Sequence, residues 1–146
     1  MPVTPFHLIA AVPLKSITKK RFSWTVFALA NVFIDTEVIY FVLTTGIPSH
    51  KIFHTVMGAT IIAILCATLG KYLCQLGLKI LNLIIPKKII IFETVISFKT
   101  AWISAFIGAY SHILLDSFVN IDMRPLYPFS DSNQLLGLLS LNFLYL

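Results

Sequence analysis

The stretch Gly108-Ala-Tyr-Ser-His-Ile-Leu-Leu-Asp-Ser-Phe118 is almost wholly apolar, yet it contains a histidine and a carboxylate four residues apart. On a helix, that spacing places His112 and Asp116 on one face, one turn apart. Such a pair inside a membrane helix serves either as metal ligands or as an interhelical hydrogen bond. The positions of the other histidines decide between these two interpretations.

The apolar content of the whole chain indicates an integral membrane protein. Of its 146 residues, 58% are hydrophobic and 12% are charged. Several apolar stretches approach the roughly 20 residues that a helix needs to cross a bilayer, and a soluble domain of this size would expose too much apolar surface. We therefore predict a single integral membrane domain over residues 1–146 with an all-α fold, a multi-pass transmembrane bundle of three to four spans.

The positive charges predict the orientation of the chain and not a nucleic-acid partner. The net charge is +5, and nine of the eleven lysines and arginines lie in two blocks beside apolar segments, at residues 15–21 and 70–99. Such blocks are typical of cytoplasmic loops. No cleavable signal pattern precedes the first block. We expect a multi-pass protein of the cell (inner) membrane, with membrane lipid around it and both basic blocks on the cytoplasmic side.

The apolar pattern predicts three full spans. The first covers residues 22–45, the second begins at residue 49 and continues to about Leu69, and the third runs from about Thr100 to Phe118. Residues 4–14 are too short to cross, which favours a short N-terminal re-entrant or interfacial helix. Part of the second basic block is expected to lie along the membrane surface as an amphipathic helix. A last apolar stretch, residues 134–146, either returns partway across the membrane or caps the bundle.

Polar residues gather at the extracytoplasmic end of this predicted bundle. His50 and His54 are four residues apart, so we expect them on one face at the start of the second helix, on the side that His112 reaches. Asp35 lies about ten residues below that surface, roughly 15 Å. Glu37 is expected to point about 200° round the helix from Asp35.

These residues predict a metal site. Three histidines with Asp35 and Asp116 would form a mono- or dinuclear site, and this ligand mixture suits Zn²⁺ first, then Mn²⁺ or Fe²⁺, better than Mg²⁺ or Ca²⁺. A bound cation would favour hydrolysis, because it acidifies water and polarises a carbonyl or phosphoryl oxygen. Asp116 or Glu37 is a candidate general base. Arg124 is a candidate contact for an anionic group such as a phosphate.

We therefore predict a membrane-embedded metal-dependent hydrolase of unknown substrate, for which the position of the site favours a lipid-borne phosphoester. Two alternatives use the same polar residues. One is a non-enzymatic ion or proton pathway through the bundle. The other is a helper membrane subunit whose polar residues bind a partner helix.

The order of short motifs along the chain resembles the YdjM-like family of membrane-bound metal-dependent hydrolases. The resemblance is carried by Pro5-Phe6-His7, Ile34-Asp35-Thr36-Glu37, His50-x3-His54-Thr55-x2-Gly58-Ala59, Ser111-His112-Ile-Leu-Leu-Asp116 and Arg124-Pro-Leu-Tyr-Pro-Phe-Ser130. It implies a multi-pass hydrolase of the cell membrane. It also implies a metal-binding set made of His7, Asp35, His50, His54, His112 and Asp116.

The chain departs from that family pattern at two places. Phe33-Ile34 stands where many members carry a proline before the acidic motif, and Lys51 stands where many carry an arginine. Lysine cannot make the bidentate contact that arginine makes. These departures concern the substrate contacts more than the metal.

Overall fold

The computed structural model describes residues 22–86 and 94–138. Four α-helices lie in these ranges: α1 (Trp24–Thr45), α2 (Val56–Leu65), α3 (Lys71–Ile84) and α4 (Phe98–Val119). A π-helical turn, Cys66–Gly70, joins α2 to α3, so that Val56–Ile84 is one continuous helix.

Three helical segments in the described ranges, namely α1, the continuous α2–α3 helix and α4, are long and apolar enough to cross a membrane. The predicted all-α membrane fold is therefore confirmed. The predicted N-terminal helix at residues 4–14 and the basic block at 15–21 lie outside the described residues. The last apolar stretch is described only as far as Leu138.

The second helix is longer than predicted. It does not end near Leu69, because residues 71–84 continue it, and residues 87–93 of the second basic block lie outside the described residues. Lys71 is tolerated there because its ammonium lies 3.5 Å from the ring centroid of Phe98, within range of a cation–π interaction. The helix ends at Ile84 because Pro86 has no N–H to donate and holds the residue before it out of the helical region.

Hydroxyl side chains cap the start of α1, α2 and α4. Ser23 accepts from the amide of Val26, and Thr55 accepts from the amide of Gly58. Ser97 plays the same part at α4, where it accepts from the amide of Thr100. Each cap satisfies one of the amides that the first helical turn leaves without a helical acceptor.

Helices α1 and α4 run parallel and keep one register along their contact. The amide of Ser23 donates to Ser104 Oγ at 2.7 Å, and these two residues are 81 positions apart in the sequence. Asn31 and its partner His112 are separated by the same 81 positions. Between these two contacts the helices approach closely at Gly108, where a Cβ would lie 2.8 Å from the carbonyl oxygen of Phe27. The same offset brings Asp35 to the level of Asp116.

Helix α1 extends past α4 at this end. Asp116 lies three residues from the end of α4, whereas Asp35 lies ten residues from the end of α1. The last two turns of α1, from Ile39 onward, therefore project beyond α4 by roughly 10 Å at 1.5 Å per residue. The chain then returns along α1, and the backbone amides of Lys51 and Phe53 donate to Glu37.

Candidate metal centre

Four side chains from three parts of the fold converge at the end of the bundle where α4 stops. Asp35 lies on α1, His54 lies just before α2, and His112 and Asp116 lie on α4. One ligand atom from each lies within 4.8 Å of the other three. Helix geometry aligns the pair on α4, as the four-residue spacing predicts, and the α1–α4 register adds Asp35.

The distances between these atoms suit a metal ion. His112 Nε2 lies 3.2 Å from Asp35 Oδ1 and 3.3 Å from Asp116 Oδ2. His54 Nε2 lies 4.0 Å and 3.8 Å from the same two oxygens. Ligand atoms around a tetrahedral ion with bonds of about 2.1 Å lie roughly 3.4 Å apart. The four side chains could therefore hold a metal ion after small movements.

The state of the His54 ring supports this fit. Its side chain is fully buried, and its Nε2 has no hydrogen-bond partner among the described residues. Buried polar atoms normally have such a partner. Burial and the neighbouring imidazoles of His50 and His112 hold the pKa of His54 below its usual range, against the opposing effect of Glu37. A neutral imidazole whose nitrogen faces two carboxylates is the form that binds a metal.

The other nitrogen of His54 is held by Glu37. His54 Nδ1 lies 3.0 Å from Glu37 Oε2. A carboxylate accepts hydrogen bonds and does not donate them, so the Nδ1 position carries the hydrogen and Nε2 keeps its lone pair. Metal-binding histidines in proteins are usually oriented by such a partner at the second nitrogen.

His112 and His50 are oriented in the same way. His112 Nδ1 lies 3.1 Å from Asn31 Oδ1, and the Asn31 amide group donates to the carbonyl of Phe27, which directs its oxygen toward the ring. His50 Nδ1 lies 2.8 Å from Asp122 Oδ1. All three rings therefore direct Nε2 toward the centre of the cluster.

His50 lies next to the four clustered residues. Its Nε2 is 3.9 Å from Asp116 Oδ2, and the amide nitrogen of Asn120 is 3.4 Å away. Although partial burial raises the pKa of Asp122, hydrogen bonds from the backbone amide and ring of His50 hold it below its usual range. His50 is thus oriented toward Asp116 by an ionised carboxylate.

The prediction that His50 and His54 share a helix face is wrong. Helix α2 begins at Val56, and both histidines precede it. The residues before α2 are held out of the helix because Thr55 caps α2 and its hydroxyl donates to the carbonyl of Ile52. The two rings still lie together, with centroids 4.6 Å apart.

The angle of about 200° between Glu37 and Asp35 on the continuous helix α1 does not keep Glu37 away from the cluster. Glu37 and Asp35 approach His54 from its two nitrogens, because the chain folds back along α1 and carries His54 between them. Glu37 also accepts from the amides of Lys51 and Phe53. These contacts hold a non-helical segment beside α1. The general-base role of Glu37 stays a prediction.

Arg124 and His7 are the remaining predicted site residues. Arg124 Nη1 forms an ion pair with Asp131 at 2.8 Å, and both side chains are exposed. The anion-binding role of Arg124 therefore stays a prediction. His7 lies outside the described residues.

Two orienting residues were not predicted as part of the site. Asn31 carries a usable signal, because it lies one helical turn before Asp35 in an apolar span. Asp122 carries a weaker signal: it follows the third span and so is expected at the same end of the bundle as His50, but its contact with His50 joins two non-helical segments that are 72 residues apart.

The fold and the cluster together define a multi-pass helical membrane protein with a group of aspartates and histidines that could bind a metal ion. A family model, described as a domain of unknown function (DUF4184), matches residues 1–121, and the chain belongs to this family. The match includes every residue of the predicted metal-binding set and ends just before Asp122. Neither a curated protein nor a solved structure matches the chain.

Proposed function

We propose that the protein is a membrane-embedded metal-dependent hydrolase. The observation that supports this proposal most directly is the set of four ligand atoms within 4.8 Å of one another, contributed by Asp35, His54, His112 and Asp116. Buried carboxylates and imidazoles are costly inside a membrane and usually mark function. Burying these four polar side chains so close together costs free energy, and a bound cation would offset that cost.

The proposed ligands are these four residues, with His50 beside them as a fifth candidate. Their mixture of nitrogen and oxygen donors favours zinc, with manganese or iron as alternatives. When bound, such a cation would acidify a water molecule and polarise a phosphoryl oxygen. The surrounding chain would exclude bulk water from the cluster, because His54 and His112 are fully buried and Asp116 is nearly so.

Asp116 is the general base that we propose. Its Oδ2 lies within 4 Å of Nε2 in all three oriented histidines. The Nε2 atoms of His54 and His112 would be occupied by the cation, so a proton taken up by the Asp116 carboxylate would pass to His50, which lies outside the four-residue ligand set. Glu37 already accepts from two backbone amides and His54, so its contacts favour a positioning role.

A phosphoester is the substrate class that we propose. Arg124, two residues after the Asp122 that contacts His50, stays the proposed phosphate contact, and its guanidinium pairs with the exposed Asp131. Orientation with this end of the bundle on the extracytoplasmic side of the cell membrane remains part of the proposal and rests on the lysine-rich blocks.

Two measurements on the detergent-purified protein test the proposal. Elemental analysis should find about one or two transition-metal ions per chain, as a site with these donors requires. Phosphate release from dioleoyl phosphatidic acid vesicles, measured with Zn²⁺, Mn²⁺ or Fe²⁺, should be lost in Asp116→Ala. Metal that is absent from the wild type, or equal phosphate release by the wild type and Asp116→Ala, would refute the hydrolase. Proton or ion flux through proteoliposomes without phosphate release would favour the pathway function.

A further inference from the structure

We infer that the metal centre opens sideways to the hydrocarbon of the bilayer, across α1, and takes its substrate from the lipid phase. This inference rests on the proposed function and adds the class of molecule that can reach the site. It commits to a membrane-resident amphiphile, whose acyl chain lies on α1 and whose polar group reaches Asp35.

Asp35 marks the edge of the cluster. The side chains of His54 and His112 are completely buried and that of Asp116 is 4% exposed, whereas that of Asp35 is 21% exposed. One turn earlier on α1, Asn31 is buried against α4, and one turn later Ile39 is 53% exposed. Asp35 therefore lies on the boundary between the packed face and the outward face of α1.

The outward face beside Asp35 is apolar. Val32, Ile39 and Val42 stand three residues before, four after and seven after Asp35, so all three share its side of the helix. They are 47%, 53% and 43% exposed. This surface, which we name the α1 stripe, is continuous with the outer surface of a helix long enough to span a membrane.

The position of Asp35 along α1 places the opening within the part of that helix that is long and apolar enough to span a membrane. Asp35 lies eleven residues from the start of α1 and ten from its end. At 1.5 Å per residue, each end is roughly 15 Å away, and a bilayer core is about 30 Å thick. On the α1 side, a water-soluble substrate would have to pass the last ten residues of that helix, whereas α4 ends three residues beyond the level of Asp35.

The side of the cluster toward the connecting segments is covered. His50 is 7% exposed and stands between Asp116 and Asp122. Glu37 is held by the segment that returns along α1. The exposed edge of the cluster therefore lies at Asp35 and the α1 stripe, and an acyl chain is the occupant that matches an apolar surface at this depth.

Two chelators of different polarity test the opening. The protein, loaded with Zn²⁺, is placed in phosphatidylcholine vesicles and exposed to 1,10-phenanthroline or to EDTA, and the zinc that remains is measured over time. EDTA carries several charges and is excluded from hydrocarbon, so we expect release to phenanthroline to be about tenfold faster or more. Equal rates, or faster release to EDTA, would overturn the inference.

A matched pair of variants locates the opening. Ile39→Trp should slow release to phenanthroline several-fold by covering the position above Asp35. Ile61→Trp makes the same change on an exposed position of α2 and should leave the rate unchanged. Equal effects of the two variants would show that the route does not follow the α1 stripe.

A measurement without metal separates this inference from the proposed function. A nitroxide is attached at position 39 through Ile39→Cys, in a background in which Cys66→Ser and Cys74→Ser remove the native thiols. Collisions with oxygen should exceed collisions with a water-soluble nickel chelate, as expected in hydrocarbon. If no metal binds but oxygen dominates, the hydrolase proposal fails while the contact of the α1 stripe beside Asp35 with hydrocarbon stands. Dominance of the nickel chelate would overturn the opening.

Discussion

The contact between α1 and α4 has two halves that share one register and differ in chemistry. In the half near the start of α1, the Ser23 amide donates to the Ser104 hydroxyl. Gly108 lets the two backbones approach there, because a Cβ would meet the carbonyl oxygen of Phe27. In the other half, the same 81-residue offset pairs Asn31 with His112. The comparison teaches that small residues at one end fix the geometry that polar residues use at the other.

The largest effect is expected from removing ligands in the polar half. His112→Ala and Asp116→Ala should lower metal affinity by more than about 100-fold, because each removes a donor itself and not a supporting contact, whose loss typically costs about 10–100-fold. Elemental analysis after gel filtration measures this change. Unchanged metal content in both variants would show that the polar half is not a metal centre.

The next effect tests whether the small-residue half controls the polar half. Gly108→Val should force α1 and α4 apart, destabilise the fold by about 1–3 kcal/mol and reduce metal content as well. Gly77→Val is the matched control, because no heavy atom lies within 4 Å of a Cβ there. Unfolding in mixed micelles measures stability. A Gly108→Val protein with normal metal content would break the proposed dependence of one half on the other.

A smaller effect is expected from the residues that orient the histidines. Asp122→Ala should weaken metal binding by about 10–100-fold, because His50 loses the carboxylate that fixes its ring. Asp131→Ala removes an exposed carboxylate in the same connecting segment and should leave metal affinity unchanged. Competition titration with a chelator of known affinity compares the two variants. Equal metal affinities of Asp122→Ala and Asp131→Ala would show that His50 does not take part in metal binding.

The smallest effect is expected from one hydrogen bond in the small-residue half. Ser104→Ala removes the acceptor of the Ser23 amide and should cost about 0.5–1.5 kcal/mol of stability. The register is also held at Gly108, so metal content should stay at the wild-type level. Loss of metal together with this small loss of stability would mean that the hydroxyl pair, and not the close approach at Gly108, sets the register.

Several features of this protein followed from its sequence because they depend on local geometry. Apolar composition determined a bundle of membrane-spanning helices, and helix periodicity determined that His112 and Asp116 share a face. The same periodicity placed Asn31 one turn from Asp35. These relations hold within a single helix, so no knowledge of neighbouring elements is needed.

Contacts between elements were decided by the tertiary structure alone. His50 and His54 meet in a non-helical segment, and Glu37 reaches His54 because that segment returns along α1. Asp122 reaches His50 across a long stretch of chain. Their positions depend on where helices begin and on how closely backbones approach at Gly108. Sequence spacing does not encode those distances, so the candidate ligands were predictable while the residues that orient them were mostly not.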